Sequence, residues 1–245
     1  MTVLYDKVTL IGLGLIASSM GHAMKKSGLA NTIVGFSQTK ETRDMSLSLG
    51  FVDEITDSIE DAVSDSDLIV LSVPVGAMAA IAKIIGPKLK LGATITDVGS
   101  VKQSVIDMVA PHIPNGVHFV PGHPLAGTEQ SGPTSGFPDL FKNRWCILTP
   151  LKNCNKEASA RLKQYWEALG ANVEYMEAEH HDLVLAVTSH APHLIAYTMV
   201  GVADDLGRVT DKEVINFSAA GFRDFTRIAA SDPTMWRDVF LNNRE

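Results

Sequence analysis

The sequence predicts an open, doubly wound parallel α/β sheet followed by a smaller all-helical domain. Short β-branched runs alternate with helix-length segments as far as Met176, the pattern of strands joined by crossover helices. Leu68 to Val73, reading LIVLSV, is almost wholly apolar, as a parallel strand buried on both faces must be. Past Glu177 the alternation stops and a helical period takes over.

Val8 to Ile11 reads as the first strand, Leu15 to Ser27 as a helix, and Thr32 to Phe36 as the second strand. A helix from Lys40 to Leu49 ends at Gly50. After the Leu68 strand, Val75 to Ile85 is helical with Pro74 near its start. Thr94 to Asp97 is a strand that leads into Gly99-Ser100-Val101-Lys102 and another helix. His118 to Val120, Trp145 to Thr149 and Val173 to Met176 are expected to complete the sheet, with Glu157 to Leu169 helical between the last two. Residues 1–177 thus form the sheet domain and 178–245 the helical one.

In the second domain, Ala178 to Leu206 reads as one long helix kinked at Pro192. Asp211 to Phe217 and Pro233 to Leu241 read as further helices, the last with no cap or partner helix at its end. So thin a helical layer is expected to close its core with a partner chain or with residues beyond a truncated C-terminus.

The 245 residues are 45% hydrophobic and 20% charged, enough for one large domain or two modest ones. A net charge of -7 argues against a nucleic-acid or anionic-membrane surface. It leaves room for a local cationic pocket. Cys146 and Cys154 have neither CxxC nor zinc spacing and read as idle thiols of a reducing compartment. The N-terminal MTVLYDKVTLIGLG lacks the basic region of a signal peptide. No stretch approaches the roughly 20 uninterrupted apolar residues of a membrane span, so the expected location is the cytoplasm.

Gly12-Leu13-Gly14-Leu15-Ile16-Ala17 follows a strand and opens a helix, the context that gives the GxGxxA fingerprint of a Rossmann-type dinucleotide fold its meaning. Gly12 permits the tight turn, Gly14 the approach of the pyrophosphate, and Ala17 close helix–strand packing, with Leu15 and Ile16 opening the helix toward the phosphates. At the end of the second strand stands Ser37 in GFSQTKETR, not the Asp or Glu usual for NAD, with Lys40 and Arg43 nearby. The choice between NAD and NADP stays open. Ser72-Val73-Pro74 and Asp97-Val98-Gly99-Ser100 end strands where the ribose and nicotinamide are expected.

Downstream, GHPLAGTEQSG sets His123 between glycine turns, a base on a loop near an oxidant. GLGLIASS, TDVGSVK, PGHPLAGTEQSG, SHAPHLIA and GFRDFTRIAASDPTMWRDVF occur in this order. In them the chain resembles the prephenate/arogenate (cyclohexadienyl) dehydrogenase family over nearly its whole length. The resemblance implies a Rossmann domain, a helical dimerisation domain and hence a homodimer. The implied reaction is the oxidative decarboxylation of prephenate to 4-hydroxyphenylpyruvate, or of arogenate to tyrosine, in tyrosine biosynthesis.

By the same resemblance His123 is the catalytic base, Ser100 orients it and touches substrate or nicotinamide, and Arg227 binds a substrate carboxylate. Ser100 alternatively caps the following helix. Arg223, four residues before Arg227, binds the second carboxylate or is solvated. His190 and His193 line the pocket at the kink, and no third ligand makes them a metal site. Glu129 stands near the pocket mouth and Trp236 at its rim, whereas His180-His181 reads as a surface feature at a helix start. The cationic pocket favours prephenate, while Glu129 or Asp224 offers an amine partner.

Two other readings compete. A β-hydroxyacid-type dehydrogenase needs a lysine in the long helix, which has none, and Lys212 is a poor substitute. A dinucleotide-binding module without catalysis does not need His123, Ser100 and Arg227 together.

Overall fold

A strand with no solvent face must lie between two other strands with helices above and below. In the computed structural model, which describes residues 2–209 and 217–244, Leu68–Leu71 does so. It is β4 of a six-stranded parallel sheet with β1 (Tyr5–Ile11), β2 (Ala30–Phe36), β3 (Glu54–Thr56), β5 (Thr94–Asp97) and β6 (His118–Phe119). The order is β3-β2-β1-β4-β5-β6. The order reverses between β1 and β4, and the crevice beyond their carboxyl ends is where such sheets bind ligands.

Around this sheet run α1 (Leu15–Ser27), α2 (Lys40–Ser48), α3 (Ile59–Val63), α4 (Met78–Ile85) and α5 (Gln103–Val109). Alternation along the strands sorts the core into two faces. Leu68 and Val70 join Leu10, Met20, Met24, Phe51 and Trp166 on one face. Ile69 and Leu71 join Ile11, Met78, Ile85, Ile95 and Val105 on the other. The short β3 and α3 escape a periodicity reading, because three strand residues and one and a half helical turns are too few to show a period. The helix expected from Val75 opens instead as a 3₁₀ turn over Val75–Ala77.

The expectation of one sheet needs correction. Trp145–Leu148 (β8) and Asn172–Tyr175 (β9), with α6 (Lys156–Ala168) between them, do not join the large sheet. They pair with Gly122–Pro124 (β7) in a separate three-stranded sheet of order β7-β8-β9, antiparallel between β7 and β8. Pro121, which has no N–H to offer the ladder, ends the large sheet's edge. Its carbonyl accepts from the Thr149 amide at 3.0 Å and hands the chain to the second sheet.

Beyond β9, α7 (Ala178–Leu185) and α8 (Ala191–Val209) are joined by a π-helical turn, Ala186–His190. The break expected at Pro192 takes this form. A proline lacks the N–H for the i−4 bond and crowds that carbonyl, and a wide turn just before it absorbs the mismatch. Positions 211–216 of the expected Asp211 to Phe217 helix, Lys212 included, lie outside the described residues.

The chain continues as α9 (Ala220–Thr226), a 3₁₀ turn (Arg227–Ala230) and α10 (Pro233–Asn242). The last helix was expected to lack a partner, and it has one. Trp236 and Val239 are buried in the core on the Ile69–Leu71 face of the sheet. Asp232 caps its start by accepting from the Thr234 amide at 2.8 Å. At its far end, Asn243 donates to the Asp182 carbonyl at 2.9 Å.

Ala178–Gly207 is long and apolar enough to cross a membrane by length and composition. A count of uninterrupted apolar residues misses this, because His180, His181, Asp182, His190 and His193 interrupt the run. Leu183, Val187 and Val202 on this helix are each more than 60% exposed.

Candidate active site

The glycine turn is built for close approach. Gly12 has φ +88°, and a Cβ there would overlap the carbonyl of Ser72 and crowd Val73. The fold thus brings the fingerprint turn against Ser72-Val73-Pro74, two segments far apart in sequence. Gly14 caps α1 with no side chain, and a Cβ added to it would meet nothing within 4 Å. The first-turn amides of Leu15 and Ile16 lie at the positive end of a helix dipole. These residues fit a dinucleotide's phosphates. Beyond β2, the Arg43 guanidinium donates to the carbonyls of Ser37 at 2.7 Å and Gln38 at 3.0 Å, while Lys40 pairs with Asp44.

Asp97 does not face the expected nicotinamide site. Its carboxylate is fully buried, paired with the equally buried Lys102 ammonium, and accepts the amides of Gly99 at 2.8 Å and Gly122 at 3.2 Å. Lys102 also donates to the Gly122 carbonyl at 2.6 Å. A buried carboxylate needs such partners, so this pair ties the end of β5 to the start of β7 instead of touching ligand.

His123 lies on β7, opposite Ile147 of β8, and not on a loop as expected. Only 7% of it is exposed. Its Nδ1 is 2.9 Å from Nε2 of His181, whose Nδ1 is 2.8 Å from Oδ1 of Asp182. The Asp182 carboxylate also accepts the backbone amides of Lys102 at 2.7 Å and Gln103 at 2.9 Å. It therefore caps α5 from another helix, which removes that role from Ser100. Ser100 stands half-buried in the turn before α5, its carbonyl toward His190.

Burial holds His123 well below the usual histidine range, and His181, Lys102 and His190 push the same way. Burial pushes Asp182 up, but the His181 bond and the two backbone amides outweigh it and leave the carboxyl below its usual range. The site therefore presents a neutral imidazole backed by an ionised carboxylate.

His181 is fully buried, not a surface feature. Its neighbours carried the missed signal. Ala178, His181, Asp182 and Leu185 fall at i, i+3, i+4 and i+7, and all four are buried. Lys102 was likewise read past, because a lysine near a helix start looks like solvated charge.

The two histidines of SHAPH diverge. His190 is buried, with Nδ1 3.1 Å from the Asn243 side-chain nitrogen, and burial lowers its pKa to about 4. His193 donates from Nδ1 to the Ser189 carbonyl at 2.8 Å and stacks on Trp236, ring centroids 3.7 Å apart. Arg227 forms an ion pair with Glu129, joining the C-terminal 3₁₀ turn to the loop that follows β7. Arg223 is exposed on α9.

Residues 20–175 match the family model of the prephenate dehydrogenase nucleotide-binding domain, and residues 177–245 that of the prephenate dehydrogenase dimerization domain. The cyclohexadienyl dehydrogenase of Zymomonas mobilis is 43% identical over 243 residues, 99% of this chain and 82% of that protein. The prephenate dehydrogenase of Bacillus subtilis is 35% identical over 246 residues, 100% of this chain and 66% of that protein. Among solved structures, Aquifex aeolicus prephenate dehydrogenase in complex with hydroxyphenyl propionate and NAD+ superposes with a TM-score of 0.90 at 37% identity. That match covers 98% of this chain and 83% of the other. Synechocystis arogenate dehydrogenase gives 0.79 at 25% identity, covering 97% and 84%. With both domain models met in sequence, and such a relative across nearly the whole length, the chain belongs to the prephenate/cyclohexadienyl dehydrogenase family.

Proposed function

We propose that this chain oxidatively decarboxylates prephenate, with His123 as the base that takes the C4 hydroxyl proton. The carrying observation is a buried, neutral imidazole on a strand, with Nδ1 committed to His181 and no protein partner for Nε2 among the described residues. A neutral imidazole whose second nitrogen is free is what a hydroxyl proton requires. Bound NAD+, or NADP+, supplies the hydride acceptor for C4. The ring carboxylate departs as carbon dioxide and the ring becomes aromatic.

Arg227 holds one substrate carboxylate, exchanging the carboxylate of Glu129 for that of the substrate. Arg223 takes the second, His193 on its Trp236 platform lines the pocket, and Ser100, in the turn before α5, touches substrate or nicotinamide. His190 supports the turn from behind, its surface covered. Gly12, Gly14, Leu15 and Ile16 hold the phosphates, Ser72-Val73-Pro74 the ribose side, and Ser37 with Arg43 the adenosine end.

The apolar stripe of Leu183, Val187, Leu194, Ile195 and Val202 pairs with the same helix of a second copy. The matching family model is a dimerization domain, and its helical residues are the ones left uncovered here. We place the enzyme in the cytoplasm, in keeping with the free thiols of Cys146 and Cys154.

Steady-state turnover of prephenate and arogenate, each with NAD+ and NADP+, tests the assignment. Prephenate is expected to be oxidised with the higher kcat/KM. No turnover in any of the four combinations by the folded protein would defeat the proposal.

A further inference from the structure

Which nitrogen of His123 carries its proton is decided two residues away. Asp182 is an acceptor only, and it is clamped. Its carboxylate takes the amides of Lys102 and Gln103 at the start of α5, so it cannot swing aside without leaving one buried and one half-buried donor unpaired. An ionised carboxylate 2.8 Å from His181 Nδ1 requires a proton on that nitrogen. With the carboxylate as the only charge of the Asp182–His181 pair, the other nitrogen, Nε2, is bare and can only accept. The atom 2.9 Å away, His123 Nδ1, must be its donor. Hence Nε2 of His123 is left without a proton.

From this geometry we infer that His181, anchored by Asp182, is a positioning residue that locks His123 in the tautomer with Nδ1 protonated and Nε2 bare. In water a free imidazole favours the opposite tautomer, so without the acceptor His123 would mostly present an N–H to the hydroxyl it must deprotonate. The burial of His181 and the capping of α5 by Asp182 are one device. The same carboxylate fixes the start of the helix that follows Lys102 and the ring that backs His123. The inference rests on His123 as the base, but the tautomer is observable without any turnover.

The experiment is long-range ¹H–¹⁵N NMR of the uniformly labelled protein, with the His123 signals identified by their loss in H123N. Nδ1 is expected to be protonated and Nε2 bare. A protonated Nε2 in the resting protein would overturn the inference whatever the activity. Two variants add kinetics. In H181L the acceptor is gone, and kcat is expected to fall by about 10- to 100-fold, with the NAD+ dissociation constant unchanged and the Nε2–H tautomer of His123 appearing. In H181Q an amide oxygen stands near the place of Nε2, and most of that loss is expected to be recovered. If H181Q falls as far as H181L, or H181L keeps its kcat and tautomer, His181 does not set the state of His123. Wild-type protein that is inactive yet shows the bare Nε2 would count against the reaction and leave the tautomer device standing.

Discussion

Lys102→Met removes the only side-chain cation paired with Asp97 among the described residues and keeps most of the lysine's volume. Both partners are fully buried, so no solvent screens the pair. Taking one member from a buried pair typically costs about 3–5 kcal/mol, because the remaining charge is stranded. Here the Asp97 carboxylate keeps the amides of Gly99 and Gly122, so the expected cost lies near the lower end, about 3 kcal/mol. The freed Gly122 carbonyl also loses its donor. Set against the roughly 5–15 kcal/mol that hold a folded protein together, this is a large fraction. Urea unfolding at fixed protein concentration, followed by the fluorescence of buried Trp166, is the assay. With a denaturant slope near 3 kcal/mol per molar, the midpoint is expected to drop by roughly 1 M. In Lys102→Met/Asp97→Asn the stranded charge is gone, so the double variant should be less destabilised than the sum of the single ones, by about 1–3 kcal/mol. A midpoint shift below about 0.3 M for Lys102→Met, or strict additivity, would refute the view that this pair ties β5 to β7.

Three further outcomes are expected. Arg227→Ala should chiefly raise the KM for prephenate, by at least about 10-fold, with little change in NAD+ affinity; an unchanged KM dismisses its carboxylate role. His190 is neutral in the fold, its pKa lowered from 6.5 to about 4, so the unfolded chain binds the extra proton first as pH falls. Its contribution to stability is complete above pH 6.5 and is lost progressively down to about pH 4; urea midpoints across that window should flatten in His190→Gln, and an unaltered slope contradicts the burial argument. Leu194→Asp/Val202→Asp places two charges on the exposed stripe of α8 and should shift the sedimentation coefficient from dimer toward monomer. If sedimentation is the same with and without the charges, the stripe is not the interface.

The large sheet was legible because its strands are short, apolar and separated by helix-length segments, and Leu68–Leu71 in particular admits no solvent face. The second sheet was not, because β7 has three residues, two of them Gly122 and Pro124, and nothing in GHP looks like a strand. His123 was therefore found as a chemical group but set on a loop. At the site, the glycine turn and Arg227 stood out through motifs. The His181–Asp182 backing did not, since a His-His-Asp run at a helix start imitates a polar surface until the i, i+3, i+4, i+7 stripe is traced through it. Asp97 misled for the opposite reason. Its place at a strand end suggests ligand contact, and only the fold shows Lys102 closing over it.

Everything at the site turns on His123 removing the hydroxyl proton. Its most direct test compares wild type and His123→Asn for kcat with prephenate and NAD+, beside the NAD+ dissociation constant measured by fluorescence quenching. With the base removed, kcat is expected to be at least about 100-fold lower in the variant, with cofactor affinity nearly unchanged. A variant that keeps its kcat would show that another group is the base.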